Sequence, residues 1–365
     1  MGKLAIPRTP EELTPEWLTS ALREGGVIRH SKVSGVSQHR IGAGAGFLGQ
    51  LAKVSLTYDR PEEGAPASLI AKLPAVDPGG REIGNLFRFY EREIRFYEEI
   101  AAGIDLRVPR CYYSAIDVPG DEYLMLLENM EPSRCGDEVA GCSAAECERA
   151  IDSLARFQAG WWDSPELARL DWMPNINDPV NHSTQPAYQQ AWGPFLQQFG
   201  DEMSPKVRAV GEELQHHILE LLDVLEPAPR TIVHGDFRGD NVFFGDGKTS
   251  DPFAVIDWQI SMRGRGVFDV AYFLSTSCDP AIRKSEEMRL IRRWYDTACA
   301  GRSGYTFEDA FRDYRASLLF MHVYTVIALG SLDAANERGM KLFHEWLRRR
   351  AAAIEELDAG ELMPH

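Results

Sequence analysis

The sequence predicts an α+β chain in two parts, an antiparallel sheet with one main helix before residue 130 and a mostly helical remainder. Two observations carry this. Short runs rich in β-branched and aromatic residues, punctuated by Gly, Pro and Asp, crowd the first third, whereas apolar residues recur at helical spacing from Ser143 onward. A third, the short strand patterns of residues 231–256, interrupts the helical part with an unusual density of Asp and Asn.

In chain order, Thr14-Pro15-Glu16 ahead of Trp17 and Leu18 is a helix start. No basic segment followed by an apolar core precedes it, so a cytoplasmic protein is expected. The stretch Gly42 to Gly49 contains G-x-G-x-x-G at Gly44, Gly46 and Gly49. In dinucleotide-binding folds that pattern opens a helix. Here Leu51, Val54, Leu56 and Tyr58 are interspersed with Ser and Thr, without a helical face, until Asp59-Arg60-Pro61 stops them, so the glycines lead into a strand. Such a hairpin can lay its amides over phosphates or serve as a plain flexible turn.

Ser68 to Pro74 is the next strand, an apolar run interrupted by Lys72. A buried ammonium is costly unless paired, although an edge-strand lysine that blocks aggregation is the alternative. Glu82 to Ala102 reads as one amphipathic helix, with Ile83, Phe87, Tyr90, Ile94, Tyr97 and Ala101 on one stripe and Leu86, Phe89, Glu93, Phe96 and Ile100 on a second. Glu93 is the carboxylate among large apolar neighbours and asks for a cation, with Lys72 the candidate; a slightly different facing would expose it instead. Two strands, Cys111 to Ala115 and Asp121 to Leu127, flank a Val118-Pro119-Gly120-Asp121 turn. Polar composition after Met130 marks a boundary, giving domains 1–130 and 131–365.

Ser143 to Glu146 is a capping box, followed by Cys147, Ile151, Leu154, Phe157 and Trp161 at helical spacing. Further helices are expected from about Lys206 to Leu225, after Pro280, across Phe307 to Leu332, and from Lys341 to Leu357. Ala316 to Leu332 lacks charge but is short for a membrane span and contains His322, Tyr324 and Thr325, which makes it a core helix. Between Trp161 and Phe199 many aromatics fall among prolines, without a clear helical repeat, and suit either a pocket for a bulky apolar ligand or core.

With 365 residues, 44% of them hydrophobic and 26% charged, the chain can bury two cores. A net charge of -16 argues against a nucleic-acid partner, which needs a basic face. Six cysteines without C-x-x-C or zinc spacing are expected as free thiols.

The chemistry concentrates in Ile232 to Asn241 and Phe253 to Trp258. Short strands at Thr231 to Val233, Val242 to Phe244 and Phe253 to Ile256, the last two joined through Gly245-Asp246-Gly247, put Asp236 and Asn241 on a tight loop and Asp257 at the end of the next strand. Asp and Asn are also common turn formers. This order and spacing, however, is that of a phosphoryl-transfer site, which needs one carboxylate beside the attacking hydroxyl and two oxygen ligands for magnesium.

His-Gly-Asp-x-Arg-x-x-Asn together with Ile-Asp-Trp-Gln resembles the aminoglycoside phosphotransferase and choline kinase superfamily, and within it the ecdysteroid-kinase-like group. The resemblance implies a protein-kinase-like two-lobe fold and an ATP- and Mg2+-dependent kinase of small hydroxylated molecules. It makes Asp236 the catalytic base, Asn241 and Asp257 the metal ligands, and Arg238 a cation near the γ-phosphate. Lys72 fixed by Glu93 would grip the α and β phosphates under Gly44 to Gly49. Glu128-Asn129-Met130 resembles the linker that holds adenine. Asp269 is similar to the residue that braces the catalytic loop, a role compatible with a helix N-cap, and His234 supports that loop. Gln259, where D-F-G kinases carry Gly, is similar to the ecdysteroid-kinase-like group. Alternatives are an aminoglycoside O-phosphotransferase and an idle nucleotide-binding relative. The absence of an A-P-E string after Asp257 disfavours a protein kinase.

Overall fold

A computed structural model describes residues 4–41, 49–119, 122–245, 253–299, 301–302, 304–331 and 337–364. The chain divides into two compact units, residues 1–103 with 108–132 and residues 104–107 with 133–365.

The first unit is built on a five-stranded antiparallel sheet in the order β1-β2-β3-β5-β4, formed by Val33–Ile41, Gly49–Tyr58, Ser68–Pro74, Glu122–Glu128 and Cys111–Asp117 respectively. In β2 the period of two is plain, with Ala52, Val54 and Leu56 buried and Lys53, Ser55 and Thr57 turned away. Helix α1 (Pro15–Glu24) buries Leu18, Ala21 and Leu22 in the same core as these residues and Leu124 and Leu126 of β5. The turn at Gly120 and Asp121 lies outside the described residues, as do Gly44 and Gly46.

The single helix expected over 82–102 is two. Helix α2 (Pro78–Leu86) starts earlier, with Asp77 capping the amide of Gly80 at 2.8 Å and Pro78 at the first position. Helix α3 (Phe89–Arg95) follows and widens into a π turn over Phe96–Ile100. Between them Arg88 is left-handed at φ 55°. The break rephases the apolar stripe. Ile83 and Leu86 are 44% and 59% exposed, whereas Phe89, Tyr90, Glu93, Ile94, Phe96 and Tyr97 beyond the break are all buried. Gly84 permits the turn, since a Cβ there would lie 2.7 Å from the Tyr90 ring. Tyr90 in turn stacks on Tyr123 of β5 at 4.5 Å.

The second unit contains helices α4 (Ala144–Trp161), α5 (Thr184–Phe199), α6 (Pro205–Leu225), α7 (Val267–Ser277), α8 (Pro280–Ala298), α9 (Phe307–Ser331) and α10 (Glu337–Glu356). Two short antiparallel strand pairs accompany them, β6 (Thr231–Val233) with β9 (Met262–Gly264) and, between these in the chain, β7 (Val242–Phe243) with β8 (Ala254–Val255). The capping box of α4 is formed, Ser143 Oγ accepting from the amide of Glu146 at 3.3 Å and Glu146 accepting from that of Ser143 at 2.8 Å. Among the described residues no helix is long and apolar enough to cross a membrane, and no disulfide is present.

Helix α5 corrects the reading of residues 161–199 as a segment without helical repeat. Tyr188, Trp192, Phe195 and Phe199 stand at i, i+4, i+7 and i+11 and stack in series at 5.7, 5.6 and 5.9 Å between centroids. Pro194 is carried inside the helix, and its flanking aromatics are buried. These rings are core, packed against α9 where Gly330 lets the helices close; a Cβ there would meet the Ala191 carbonyl at 2.3 Å.

Replacing Phe195 by Ala is expected to cost about 3 to 5 kcal/mol of unfolding free energy, read from urea titration, because the ring has no solvent face to relax into. A pH dependence is also expected. His322 on α9 is fully buried, and its burial, with Arg350 nearby, lowers its pKa from 6.5 to about 4. The unfolded chain therefore takes up a proton below pH 6.5 that the folded one refuses until about pH 4. The stability gap between His322→Met and the parent should shift in favour of the variant by on the order of 3 kcal/mol from pH 7 to 4. Parallel thermal melts of the two proteins across that range measure it.

Candidate functional site

The loop after β6 owes its shape to one carboxylate. Asp269, fully buried on α7, accepts from the amides of His234 at 2.8 Å and Gly235 at 3.0 Å, and from Gln158 Nε2 of α4 at 3.1 Å. Burial pushes Asp269 up to about 7 while these three donors pull it down. Since every contact is a donor, the ionised form satisfies them all. Gly235 is required, for its φ is 81° and a Cβ would come within 2.6 Å of the Ile260 carbonyl. His234, also fully buried, uses Nε2 toward the carbonyl of Ile256 at 2.9 Å and Nδ1 toward the amide of Asp236 at 3.2 Å. That pairing selects the neutral tautomer with the proton on Nε2, and burial lowers its pKa in the same sense.

Asp236 and Asn241 come together. The Asn241 amide nitrogen donates to the Asp236 carbonyl at 2.9 Å and to its Oδ2 at 2.8 Å. Asp257 arrives from the other side of the β7/β8 hairpin, where the Ile256 amide donates to the Asn241 carbonyl at 2.9 Å. Asp257 then turns left-handed at φ 67°. Both Asp236 and Asp257 lie close enough to His234 to oppose the lowering of its pKa by burial.

Arg238 is placed differently from a simple phosphate-facing cation. Its Nε reaches both oxygens of Asp236 at 3.0 and 3.1 Å, its Nη1 meets Glu138 at 2.8 Å and Asp240 at 3.5 Å, and its guanidinium lies over Trp346 of α10 at 5.7 Å. Arg238 thus ties the carboxylate of Asp236 to the segment before α4. Asp240 adds a second tie, accepting from the Glu138 amide at 2.9 Å and from Arg338 at 3.0 Å, while Gly239 donates to Ser277 of α7 at 2.7 Å.

In the first unit Lys72 Nζ meets Glu93 Oε2 at 2.6 Å, with side chains 10% and 1% exposed. The apolar stripe asked for a cation and the central strand supplies it. Glu128 ends β5 and accepts from the Arg110 amide at 2.9 Å, Asn129 donates to Ser68 at 3.0 Å, and Met130 is buried. Gly49 opens β2 opposite Pro74.

Among the described residues no group of three His, Cys, Asp or Glu side chains gathers as a protein-only metal site. Asn241 and Asp257 nevertheless fit a magnesium site completed by phosphate and water, which uses only one or two protein oxygens. The Asn241 nitrogen serves Asp236, and its oxygen, the atom a hard cation takes, accepts no hydrogen bond among the described residues.

Sequence reasoning missed Glu138, Gln158 and Tyr272. Glu138 sits in a polar stretch with no periodic signal. Gln158 had one, a polar residue four after Leu154 on the buried stripe of α4. Tyr272 is held protonated well above its usual range, first by burial and then by the nearby charge of Asp236.

Fold and site together define a kinase-like two-lobe protein of the phosphotransferase class. The chain belongs to the ecdysteroid kinase-like family, whose model matches residues 43–298. Solved structures share the fold at low identity. Choline kinase from Cryptosporidium parvum Iowa II is 12% identical, with 93% of this chain and 96% of that one covered at a TM-score of 0.54. Plasmodium vivax ethanolamine kinase is 12% identical, with 90% and 85% covered at 0.53. The GDP complex of aminoglycoside 2'-phosphotransferase-IIIa is 14% identical, with 93% and 98% covered at 0.54. No curated protein sequence matches the chain.

Glu93→Leu should lower stability by about 3 to 5 kcal/mol, the cost of stranding a buried charge. The double variant Lys72→Met/Glu93→Leu should recover part of that loss, and a double-mutant cycle in urea separates the pair from its surroundings.

Proposed function

We propose that the protein is an ATP- and Mg2+-dependent small-molecule kinase that transfers the γ-phosphate to a hydroxyl of a bulky, largely apolar alcohol. The observation that carries the reading is the pairing of Asn241 with Asp236 through two amide hydrogen bonds on a loop locked to α7, with the Ile256 amide tying the strand before Asp257 to Asn241. Family membership supports it, and the GDP complex of a fold relative agrees with nucleotide use.

In this reading Asp236 orients the acceptor hydroxyl and takes its proton, and the Asn241 amide holds that carboxylate in place. Arg238, whose Nε reaches both Asp236 oxygens, fixes the orientation of that carboxylate and limits the charge that accumulates beside the phosphate. Asn241 and Asp257 would hold Mg2+, which neutralises charge on the transferring phosphoryl group when bound. Lys72, fixed by Glu93, would bind the α and β phosphates, Gly44, Gly46 and Gly49 would cover them, and Glu128 to Met130 would border the adenine. The work of Asp269 and His234 is to fix the loop. A cytoplasmic location and small-molecule partners rather than nucleic acid accord with the acidic composition.

The test is labelled-ATP transfer to a panel of hydroxylated lipids, sterols, hydroxyacyl thioesters and aminoglycosides. Asp236→Asn should slow turnover on the accepted substrate by about 10² to 10⁴ fold, the scale of a general base. Transfer at the parental rate by this variant would remove Asp236 from the role.

A further inference from the structure

Around α9 and α10 the structure holds a charge that no carboxylate among the described residues compensates. Arg350 is 1% exposed, yet no carboxylate pairs with it among the described residues. Its Nη1 donates to the Met321 carbonyl at 3.1 Å and to the Thr325 hydroxyl, while Nε and Nη2 have no partner. The neighbouring side chains share this condition. Both ring nitrogens of the fully buried His322 are unpartnered, as is the indole nitrogen of Trp346. Three side chains thus leave five buried nitrogens without a hydrogen bond in one region of two adjoining helices.

Every other fully buried arginine of this unit is satisfied more completely. Arg283 has Glu287 at 2.7 Å and also Glu356, and Arg349 has Glu345 at 3.0 Å together with three backbone carbonyls. A buried guanidinium without a carboxylate partner is unfavourable, since two hydrogen bonds from Nη1 and the faces of two rings return only part of the hydration that burial removes. Arg350 thus has donors left for a group that the described residues do not supply.

Its surroundings connect it to the catalytic loop. The Arg350 guanidinium lies 5.1 Å from the centre of the Tyr272 ring, and Asp236 is near enough to Tyr272 to raise the pKa of its hydroxyl. It also lies 5.6 Å from the Trp346 ring, which carries Arg238 at 5.7 Å. Two aromatic side chains therefore separate Arg350 from Asp236 and its partner.

We propose that Arg350, with His322 and the Trp346 indole, binds the anionic end of the acceptor, so that the substrate is an apolar hydroxy acid whose carboxylate meets Arg350 and whose hydroxyl reaches Asp236 past Tyr272. This rests on the kinase reading and sharpens it. The Tyr272 and Trp346 rings supply apolar surface beside Arg350, and the guanidinium fork suits a planar carboxylate. A cationic acceptor is excluded by the same charge, because a second cation beside Arg350 would be repelled.

The experiment separates binding from transfer. Full-length protein is titrated by calorimetry with 3-phenyllactate and with 12-hydroxydodecanoate, each beside its methyl ester, and the same pairs are offered in the transfer assay. At least one acid should bind at least tenfold tighter than its ester, and Arg350→Met should abolish that preference. Because the variant removes an uncompensated charge, it should fold with a melting temperature no lower than the parent's. Equal binding of acid and ester by the parent, absence of binding by both acids, or a preference that survives in Arg350→Met overturns the proposal. The calorimetric comparison in the parent stands without any variant. If the acids bind and no acceptor is phosphorylated, the anion site holds and the kinase reading fails.

Discussion

A single buried carboxylate organises the second unit. Asp269 gathers the first two amides of the loop that follows β6 and the side chain of Gln158, joining three elements at a point with no access to water. Without it those amides would be buried donors with no acceptor, and the loop could not keep Gly235 at positive φ beneath Asp236. The position of Asp236 is thus set from α7, and that of Asn241 from Asp236. Asp257 follows through the amide of Ile256. Each link is a short hydrogen bond between groups that would otherwise be stranded, which gives the loop one geometry.

The charged interior of this protein is uneven in a way that bears on function. Lys72 with Glu93, Arg283 with Glu287, and Arg238 with Glu138 and Asp236 are cases in which burial is offset by a partner at hydrogen-bonding distance. Such pairs add little net stability, but they specify one arrangement, since breaking either side leaves a charge in a low dielectric. Arg350 departs from that rule, and the departure lies beside Tyr272, which is near Asp236, and Trp346, which carries Arg238. Sites of incomplete internal pairing are where a ligand can contribute what the chain withholds.

Much was legible in the sequence where local chemistry and periodicity agree. The glycine, Asp and Asn spacing of residues 232–257 marked the loop, and a lone Glu93 in an apolar stripe pointed to a buried cation. Two elements misled for identifiable reasons. The helix over 82–102 was read as continuous because apolar residues recur throughout, yet Ile83 and Leu86 are exposed and a left-handed Arg88 resets the phase. The proline-rich 161–199 stretch hid α5, because Pro194 was taken as a breaker although a helix wrapped by neighbours can carry one. Glu138 gave no warning. Its importance is a contact over 100 positions with Arg238, and nothing in a polar connecting segment foretells such a partner.

By itself the sequence determined which residues could do chemistry and the elements that carry them, since hydrophobic period, turn formers and motif spacing act over a few neighbouring positions. Tertiary structure alone decided how the charges are shared: that Arg238 serves Asp236 and Glu138, that Asp269 receives the loop amides, and that Arg350 meets no counter-ion among the described residues. Those outcomes depend on which side chains meet after distant segments pack and exclude water. Burial multiplies the energy of each such meeting, and no local pattern records it.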